Sequence, residues 1–302
     1  MTILVALGIA VVIFLVSISI ILFFVGPIIL LQPRRRTADF YRNLGLPTTP
    51  SELKLPYEEI NVITADGLKL NSWLIKSPVL SKGTIIYLHG VADCKIDGIR
   101  HAKFWHDLHY NVFLYDARRH GDSDGKFCTY GFYEKHDVIT IIDYLVSRSD
   151  LQLGKIGVFG TSMGAAVALQ AAAIDHRITA VVAENSFATL RSIFDDYQQR
   201  MIKLPFHFLR NIVIIRSELM ANFKASEVSP LDAVRHISIP ILFIYGTKDP
   251  LIKYQYSVTL HEHVHGSKEV FPVENASHSN IWQIAGERYE RKLMKFFERH
   301  LA

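Results

Sequence analysis

Two things are scarce in this sequence: cysteine, and a broad surplus of either charge. Only Cys94 and Cys128 occur among 302 residues, so at most one disulfide is possible, and a chain with so few cysteines is more often reduced. Cys94 could be a redox-sensitive thiol, but a small packing residue is the simpler interpretation.

The charge balance excludes one broad class of partner. Lysine and arginine total 33 against 29 acidic residues, which gives a net charge of +4. Three of the positive charges belong to the cluster Arg34, Arg35 and Arg36, and the remainder of the chain is close to neutral. Nucleic-acid binding needs a broad basic surface, so no nucleic-acid partner is expected.

Charge is missing altogether from the first part of the chain. Ile3–Leu31 is a run of 29 residues without a charged side chain, and about 20 apolar residues suffice to cross a bilayer. One transmembrane helix is therefore predicted, with residues 1–32 as a membrane anchor. A cleaved signal peptide would have a basic start, a shorter apolar stretch and a small-residue cleavage site. A buried core helix would rarely be this long.

The arginine cluster sets the expected orientation of this helix. Arg34, Arg35 and Arg36 follow the apolar run, and no basic residue precedes it. The positive-inside rule then places the cluster and everything after it on the cytoplasmic side of the membrane. The same cluster could contact anionic lipid, at about 1 kcal/mol for each basic residue.

The remaining sequence predicts an α/β domain over residues 57–302, joined to the anchor by a linker, residues 33–56. Glu59–Thr64 and Leu68–Lys76 alternate apolar and polar residues around an Asp-Gly turn, which predicts a hairpin. Apolar strands then alternate with helical stretches, which predicts a mostly parallel sheet covered by helices on both faces. The strand candidates are Thr84–Leu88, Val112–Tyr115, Ile156–Phe159, Ile178–Ala183, Ile241–Tyr245 and Lys268–Val273.

A serine between a strand and a helix is the most informative feature of this domain. The pentapeptide Gly160-Thr161-Ser162-Met163-Gly164 directly follows one predicted strand and directly precedes an alanine-rich helix. In such a nucleophile elbow the serine hydroxyl projects above the sheet. The residues two before and two after the serine approach so closely that both must be glycine. Ser162 is therefore the candidate nucleophile.

A nucleophilic serine needs a base, and that base needs an orienting carboxylate. Asp249 and His278 each follow a predicted strand, downstream of Ser162 and in the order serine, acid, histidine. The backbone N–H groups of Met163 and Val91 are the candidates for binding a developing oxyanion, since one follows the serine and the other follows an earlier strand.

One connection is longer than a single crossover helix requires. Residues 184–238 separate two predicted strands and include the apolar stretches Leu204–Leu209 and Ile212–Ile215. We interpret them as a helical cap that offers an apolar pocket and favours medium-length acyl groups, because lids are a usual role of long insertions. Two helices packed on the edge of the sheet are the alternative.

Five segments together resemble one family: His89-Gly90, Asp116–Ser123, the elbow, Gly246–Asp249 and Ser277-His278. Over about residues 58–300 the chain resembles the serine hydrolases of the α/β-hydrolase fold. Among these it resembles the membrane-anchored Bem46-like and serine aminopeptidase S33-like groups. The resemblance implies esterase, lipase, thioesterase or peptidase chemistry without a cofactor.

The sequence thus favours a membrane-anchored serine hydrolase that cleaves acyl esters through Ser162, His278 and Asp249. Cleavage of short peptides is the first alternative. It would need an acidic group to bind a free amino terminus, for which Asp195, Asp196 and Glu218 are candidates. The second alternative is a membrane-tethered scaffold on an inactive hydrolase fold, which the loss of a triad residue would favour, and none is lost.

No metal site is expected from the remaining histidines. His261, His263 and His265 are two residues apart, so their side chains diverge on a helix, and no cysteine or carboxylate cluster accompanies them. A solvated helix end is the simpler interpretation.

Overall fold

One sheet of eight strands organises the part of the chain that the computed structural model describes, residues 2–201 and 207–302. The strands are β1 (Glu58–Ile63), β2 (Lys69–Ile75), β3 (Thr84–Leu88), β4 (Asn111–Tyr115), β5 (Ile156–Thr161), β6 (Ile178–Glu184), β7 (Ile241–Gly246) and β8 (Lys268–Val273). Their order is β1-β2-β4-β3-β5-β6-β7-β8. β2 is antiparallel to both of its neighbours, β1 and β4, and all other neighbouring strands are parallel. The predicted hairpin and mostly parallel sheet are confirmed.

Helices cover this sheet. They are α1 (Thr2–Ile20), α2 (Gly26–Leu31), α3 (Ala38–Asn43), α4 (Ile99–Asp107), α5 (Glu134–Ser147), α6 (Met163–Ala172), α7 (Leu190–Met201), α8 (His207–Ala221), α9 (Pro230–Val234), α10 (Tyr254–His263), α11 (Ile281–Ala285) and α12 (Glu287–Leu301). A π-helical turn, Ile21–Val25, joins α1 to α2. Short 3-10 turns lie at Pro50–Leu53, Lys95–Gly98 and Ala225–Glu227.

Two apolar clusters, one for each face of the sheet, form the core. The first includes the inner sides of α5 and α6, and the second includes those of α4 and α12. α12 shows why such helices form here, because its apolar residues recur at helical spacing and all become buried on one side. Its buried residues are Tyr289, Leu293, Phe296, Phe297 and Leu301.

The N-terminal apolar helix extends away from the domain, and the main contacts between the two in the described part of the chain lie near the carboxyl end of the helix. α1 is exposed along its length, and the window of the apolar run Ile3–Leu31 that could cross a membrane has none of its residues buried. The π-helical turn and α2 pack against α8, where Gly26 lies against the Val213 side chain. Leu31, the last residue of α2, is buried in the first apolar cluster. The helix is therefore fixed to the domain at its carboxyl end.

Residues 33–56, for which a linker is predicted, have structure of their own. They contain α3 and the 3-10 turn Pro50–Leu53, which begins with a capping box between Thr49 and Glu52. Tyr41 and Leu55 are buried against the domain. Gly45 follows α3 and Pro50 begins the 3-10 turn, and the segment lies on the surface of the domain.

Between β6 and β7 the described residues form α7, α8 and α9. α7 begins shortly after β6 and packs against α8, and α9 packs against α6. This is the helical insertion that the long connection predicts.

Candidate active site

The turn between β5 and α6 holds Ser162 in an unusual backbone conformation. Its φ is 53° and its ψ is −116°, a region that few non-glycine residues adopt. A Cβ at Gly160 would overlap the carbonyl of Gly164, and a Cβ at Gly164 would overlap the carbonyl of Leu88. Both positions therefore require glycine, as the sequence pattern predicts. The Ser162 N–H donates a hydrogen bond of 2.8 Å to the Glu184 carbonyl, which ties the turn to β6.

Asp249 and His278 form a hydrogen-bonded pair. Nδ1 of His278 lies 2.7 Å from Oδ2 of Asp249, whose side chain is only 1% exposed. The other carboxylate oxygen of Asp249 accepts hydrogen bonds from the backbone N–H groups of Leu251 and Ile252, at 2.7 and 2.9 Å. The carboxylate is thus fixed from both sides, and it holds the imidazole with Nε2 free to act on a proton.

Ser162 and His278 line the same cavity, which has a volume of about 380 Å³. Among the described residues no hydrogen bond joins their side chains. The two groups share one space, and proton transfer between them requires a tighter approach, as is common in sites without a bound substrate. The cavity lies where the strand order reverses, beyond the carboxyl ends of β3 and β5, the usual place for a ligand in an open α/β sheet.

The loop after β3 is held close to the serine by His89. The imidazole of His89 contacts the Gly90 carbonyl through Nδ1 at 2.8 Å and accepts the Ala117 N–H through Nε2 at 3.0 Å. Burial lowers the pKa of His89 to about 4, so the neutral ring makes both bonds. An added Cβ at Gly90 would stand 3.4 Å from Cβ of Ser162, which shows how closely this backbone approaches the nucleophile.

The predicted oxyanion donors belong to this region. Val91 lines the cavity, and Met163 is the first residue of α6 directly after Ser162. Within the described part of the chain, neither backbone N–H takes part in a hydrogen bond with another backbone group.

A buried ion pair supports the same loop from behind. Nζ of Lys95 lies 2.7 Å from Asp116, which also accepts the Lys95 N–H at 2.6 Å. Burial alone would lower the pKa of Lys95, but the attraction of Asp116 and Asp122 outweighs it and raises the pKa. The position of Gly121, where a Cβ would overlap the Asp116 carboxylate, keeps room for this pair.

Several polar cavity residues were not identified from the sequence. Glu184 ends β6 and accepts a 2.7 Å hydrogen bond from the hydroxyl of Tyr289. Burial raises the pKa of Glu184 to about 7, and burial, aided by Asp93, raises that of Asp97 to about 6. A signal for Glu184 existed: it stands at the carboxyl end of the strand beside the serine strand, where active-site groups gather.

The segment before the domain also reaches this cavity. Arg36 and Tyr41 line it, and both bind the Asp93 carboxylate, Arg36 in an ion pair and Tyr41 through a 3.0 Å hydrogen bond. Arg35 donates to the carbonyls of Gly121 and Gly125. Of the three arginines expected to contact lipid, Arg35 and Arg36 thus also bind the domain. Arg34 is exposed.

The described apolar residues of the cap have different surroundings. Tyr197 of α7 lines the cavity, whereas Phe208 is 58% exposed and Ile214 is buried in the first apolar cluster. Leu204 and Phe206 lie outside the described residues. The spacing of the α8 residues is that of a helix with two apolar faces, and sequence alone did not show that one face packs on the N-terminal helix.

The acidic cap residues proposed for peptide binding have other partners. Asp195 pairs with Arg210, and Asp196 binds Nζ of Lys253 at 2.6 Å. Glu218 accepts the backbone N–H of Ala225. None of the three lines the cavity.

Both cysteines are free and buried. Burial raises the pKa of Cys94 to about 12 and that of Cys128 well above its ordinary value, so neither thiol is activated as a thiolate. A packing role fits both residues.

Comparison with known proteins identifies the class of protein. A family model described as alpha/beta hydrolase fold matches residues 83–218. The chain is 31% identical to the uncharacterized protein YqkD of Bacillus subtilis, over 74% of this chain and 73% of that protein. It belongs to the α/β-hydrolase fold family, as the sequence motifs indicate.

Relatives and a solved structure add detail. The chain is 31% identical to protein bem46 of Schizosaccharomyces pombe, over 68% of this chain and 64% of bem46. It is 25% identical to the uncharacterized membrane protein YNL320W of Saccharomyces cerevisiae, over 77% of each chain. The Pyrococcus furiosus esterase Pf2001 superimposes with a TM-score of 0.74 at 27% identity, over 90% of this chain and 99% of the esterase.

Proposed function

We propose that this α/β hydrolase is a membrane-anchored serine hydrolase that cleaves carboxylic esters through Ser162, His278 and Asp249. One observation carries the proposal: the Asp249–His278 pair, joined at 2.7 Å, opens into the same cavity as a serine held at a strained strand-to-helix turn. The likeness to the Pyrococcus furiosus esterase supports ester substrates.

The proposed reaction has two stages. His278 Nε2 takes the proton of the Ser162 hydroxyl while Oγ attacks the ester carbonyl carbon. When the tetrahedral intermediate collapses, the bond between the carbonyl carbon and the alkoxy oxygen breaks. The alcohol leaves with the proton that His278 had taken from Ser162. Water then attacks the acyl-enzyme with His278 again as base, which releases the acid and restores Ser162. Asp249 stabilises the positive charge on the imidazole in each stage.

The charge that develops on the carbonyl oxygen is assigned to the N–H groups of Val91 and Met163. Both flank Ser162, and the helix that begins at Met163 directs its N-terminal dipole at the same place. Such donors are usually the largest single contribution to catalysis of acyl transfer, with a loss of about 10²- to 10³-fold in kcat when one is removed.

Peptide cleavage is the second candidate, and the polar residues of the cavity favour it. Asp97 and Glu184 line the cavity together with Asp93, so acidic groups do stand near the serine, although Asp195, Asp196 and Glu218 are not among them. A free amino terminus could pair with an ionised carboxylate there.

The membrane anchor is the third element of the proposal. The apolar run Ile3–Leu31 is long enough to cross a bilayer, and a membrane protein is among the relatives. The anchor is tested by alkaline carbonate extraction of membranes that contain the full-length chain. We expect it to stay in the membrane pellet; its release would refute the anchor.

The substrate class is tested with the membrane-bound full chain and two sets of substrates. One set consists of p-nitrophenyl esters from acetate to dodecanoate. The other consists of aminoacyl p-nitroanilides, which are amides with the matching chromophore. The proposal predicts ester cleavage with kcat/KM well above that for the amides. Faster cleavage of the amides would replace the esterase assignment by the peptidase one.

A further inference from the structure

The cap helix α8 carries an exposed apolar face. Ile215 and Leu219 lie one turn apart on this face and are 53% and 69% exposed. Ile214 and Ser217, on the other side of the helix, are buried. Large aliphatic side chains beside one another are uncommon on a water-facing surface unless something covers them, because each gains from removal of its apolar area from water.

The position of α8 against the N-terminal helix indicates what covers this face. α8 packs on the π-helical turn and on α2, where Val213 contacts Gly26 and Nε of Arg216 reaches the Phe23 carbonyl at 3.5 Å. Phe23 and Gly26 belong to the apolar run Ile3–Leu31 itself. α8 therefore stands beside the last third of the segment that is proposed to cross the bilayer.

The length of the apolar run limits how deep in the bilayer the contact between α8 and the run can lie. About 20 residues cross the hydrocarbon core, and each adds about 1.5 Å. If the crossing begins at Ile3, Phe23 and Gly26 lie in the headgroup layer just outside the hydrocarbon. If it ends at Leu31, both lie within the hydrocarbon. In either case the part of α8 around Val213 and Arg216, which contacts these residues, is at the level of the membrane surface or below it.

We propose that α8 lies in the membrane interface, with Ile215 and Leu219 in contact with lipid chains. The inference rests on the proposed membrane anchor and adds a second, separate lipid contact to it. Arg216, which contacts the Phe23 carbonyl, follows Ile215 directly and can extend its guanidinium toward headgroups. α7 packs on α8 and contributes Tyr197 to the cavity wall. The active-site cavity is thereby held close to the bilayer.

The experiment measures lipid contact directly in the full chain. Leu219→Cys and, separately, Ile215→Cys are labelled with an environment-sensitive fluorophore and reconstituted into phosphatidylcholine–phosphatidylglycerol vesicles. Cys94 and Cys128 are buried, so the new thiol is the reactive one. The control is Leu80→Cys, which is also highly exposed but lies in the loop before β3, at the opposite end of the parallel strands.

We expect blue-shifted emission at positions 215 and 219, and quenching by spin-labelled lipid at least about threefold stronger than at position 80. Emission as in water at both positions, with the same quenching as the control, overturns the proposal. A blue shift without quenching by lipid also overturns it, since a second copy of the chain or another protein would then cover the face.

The failure of this inference is distinguishable from failure of the anchor. If the chain resists alkaline carbonate and the labels remain in water, the anchor holds and α8 does not contact lipid. If carbonate releases the chain, the anchor itself is wrong.

Discussion

The position of Ser162 is determined by the residues around it. Its positive φ is sterically costly, on the order of 1–3 kcal/mol. The turn is possible because Gly160 and Gly164 have no Cβ to clash with the neighbouring backbone, and the Glu184 carbonyl accepts the serine N–H. The hydroxyl is thereby presented to the cavity before any substrate arrives. The strain is therefore a condition of the proposed chemistry rather than a defect of the fold.

Asp249→Asn is expected to lower kcat by about 10³- to 10⁴-fold while the chain remains folded. An asparagine is neutral, and its amide can turn NH₂ toward Nδ1, which would place the imidazole proton on the wrong nitrogen. Steady-state ester hydrolysis measures the effect. The matched control is Asp232→Asn, which removes an exposed carboxylate paired with Arg235 and should leave kcat unchanged. Similar rates in the two variants would contradict the role of Asp249.

Glu184→Gln is expected to change the dependence of stability on pH. Burial raises the pKa of Glu184 to about 7, above the ordinary value of 4.5, so the folded chain holds this proton more tightly than the unfolded chain does. Its contribution to stability is present below about pH 4.5 and is lost as pH rises through about 7. The glutamine variant, which cannot ionise, should therefore gain in melting temperature relative to the wild type as pH rises from 5 to 8.

Other groups near Glu184 also make stability depend on pH, so the wild type and the glutamine variant must be compared directly. Asp97, whose pKa is also raised, to about 6, is present in both proteins and changes stability with pH in the same direction as Glu184. Only the difference between wild type and variant reports on Glu184. A difference in melting temperature that stays constant between pH 5 and pH 8 would show that the carboxyl does not titrate in this range.

At the scale of elements, the site is built from the ends of strands. β5 presents Ser162, β7 and β8 are followed by Asp249 and His278, and β6 ends in Glu184. The carboxyl ends of parallel strands meet along one edge of the sheet, so residues distant in sequence converge there. The segment before the domain completes the cavity wall, which explains why residues 33–56 are structured.

Arg36→Ala is expected to raise KM for esters by about 2- to 5-fold with little change in kcat. The substitution removes the ion pair that holds the segment to Asp93 and opens one wall of the cavity, and a partly exposed pair of this kind contributes up to about 1 kcal/mol, or roughly fivefold. The control is Arg34→Ala, because Arg34 is exposed beside it. Equal effects of the two substitutions, or an effect confined to kcat, would show that Arg36 does not shape the cavity.

At the scale of the whole molecule, the catalytic domain is expected on the cytoplasmic side. The arginine cluster after the apolar run sets this orientation. A reporter fused after residue 302 should be active if it requires the cytoplasm and inactive if it requires export. The opposite pattern would reverse the topology. Replacing Arg34, Arg35 and Arg36 by alanine should weaken the preference, which separates the effect of charge from that of the domain.

The architecture could be predicted from the sequence because the patterns that indicate each strand and helix lie within short stretches of the chain. Each predicted strand of the parallel sheet is present, since runs of buried aliphatic residues between turns have few other uses in a domain of this size. The strands β5, β6 and β7 extend one or two residues further than predicted, into the site itself. Ser162 was recognisable for the same reason, because its glycines and adjoining elements lie within one short stretch.

The structure of residues 33–56 and the packing of α8 could not be predicted, because both depend on contacts between distant parts of the chain. Nothing local shows that Arg36 reaches Asp93, or that α8 packs on α2 rather than over the serine. Apolar side chains at helical spacing indicate that a helix has a buried face, but they do not indicate which other element packs on that face. Tyr197 of the cap lines the cavity, whereas the described residues of α8 do not, and the sequence could not separate these two parts of the cap.

The central claim is that Ser162 is the nucleophile of a working hydrolase, and active-site labelling tests it most directly. The purified full-length chain is treated with a fluorophosphonate probe, and ester turnover is measured on the same samples. Wild type should be labelled at Ser162, and Ser162→Ala should lose both labelling and turnover by several orders of magnitude. Ser279→Ala, which alters another serine of the same cavity, should keep both. Undiminished hydrolysis by a folded Ser162→Ala protein would contradict the account.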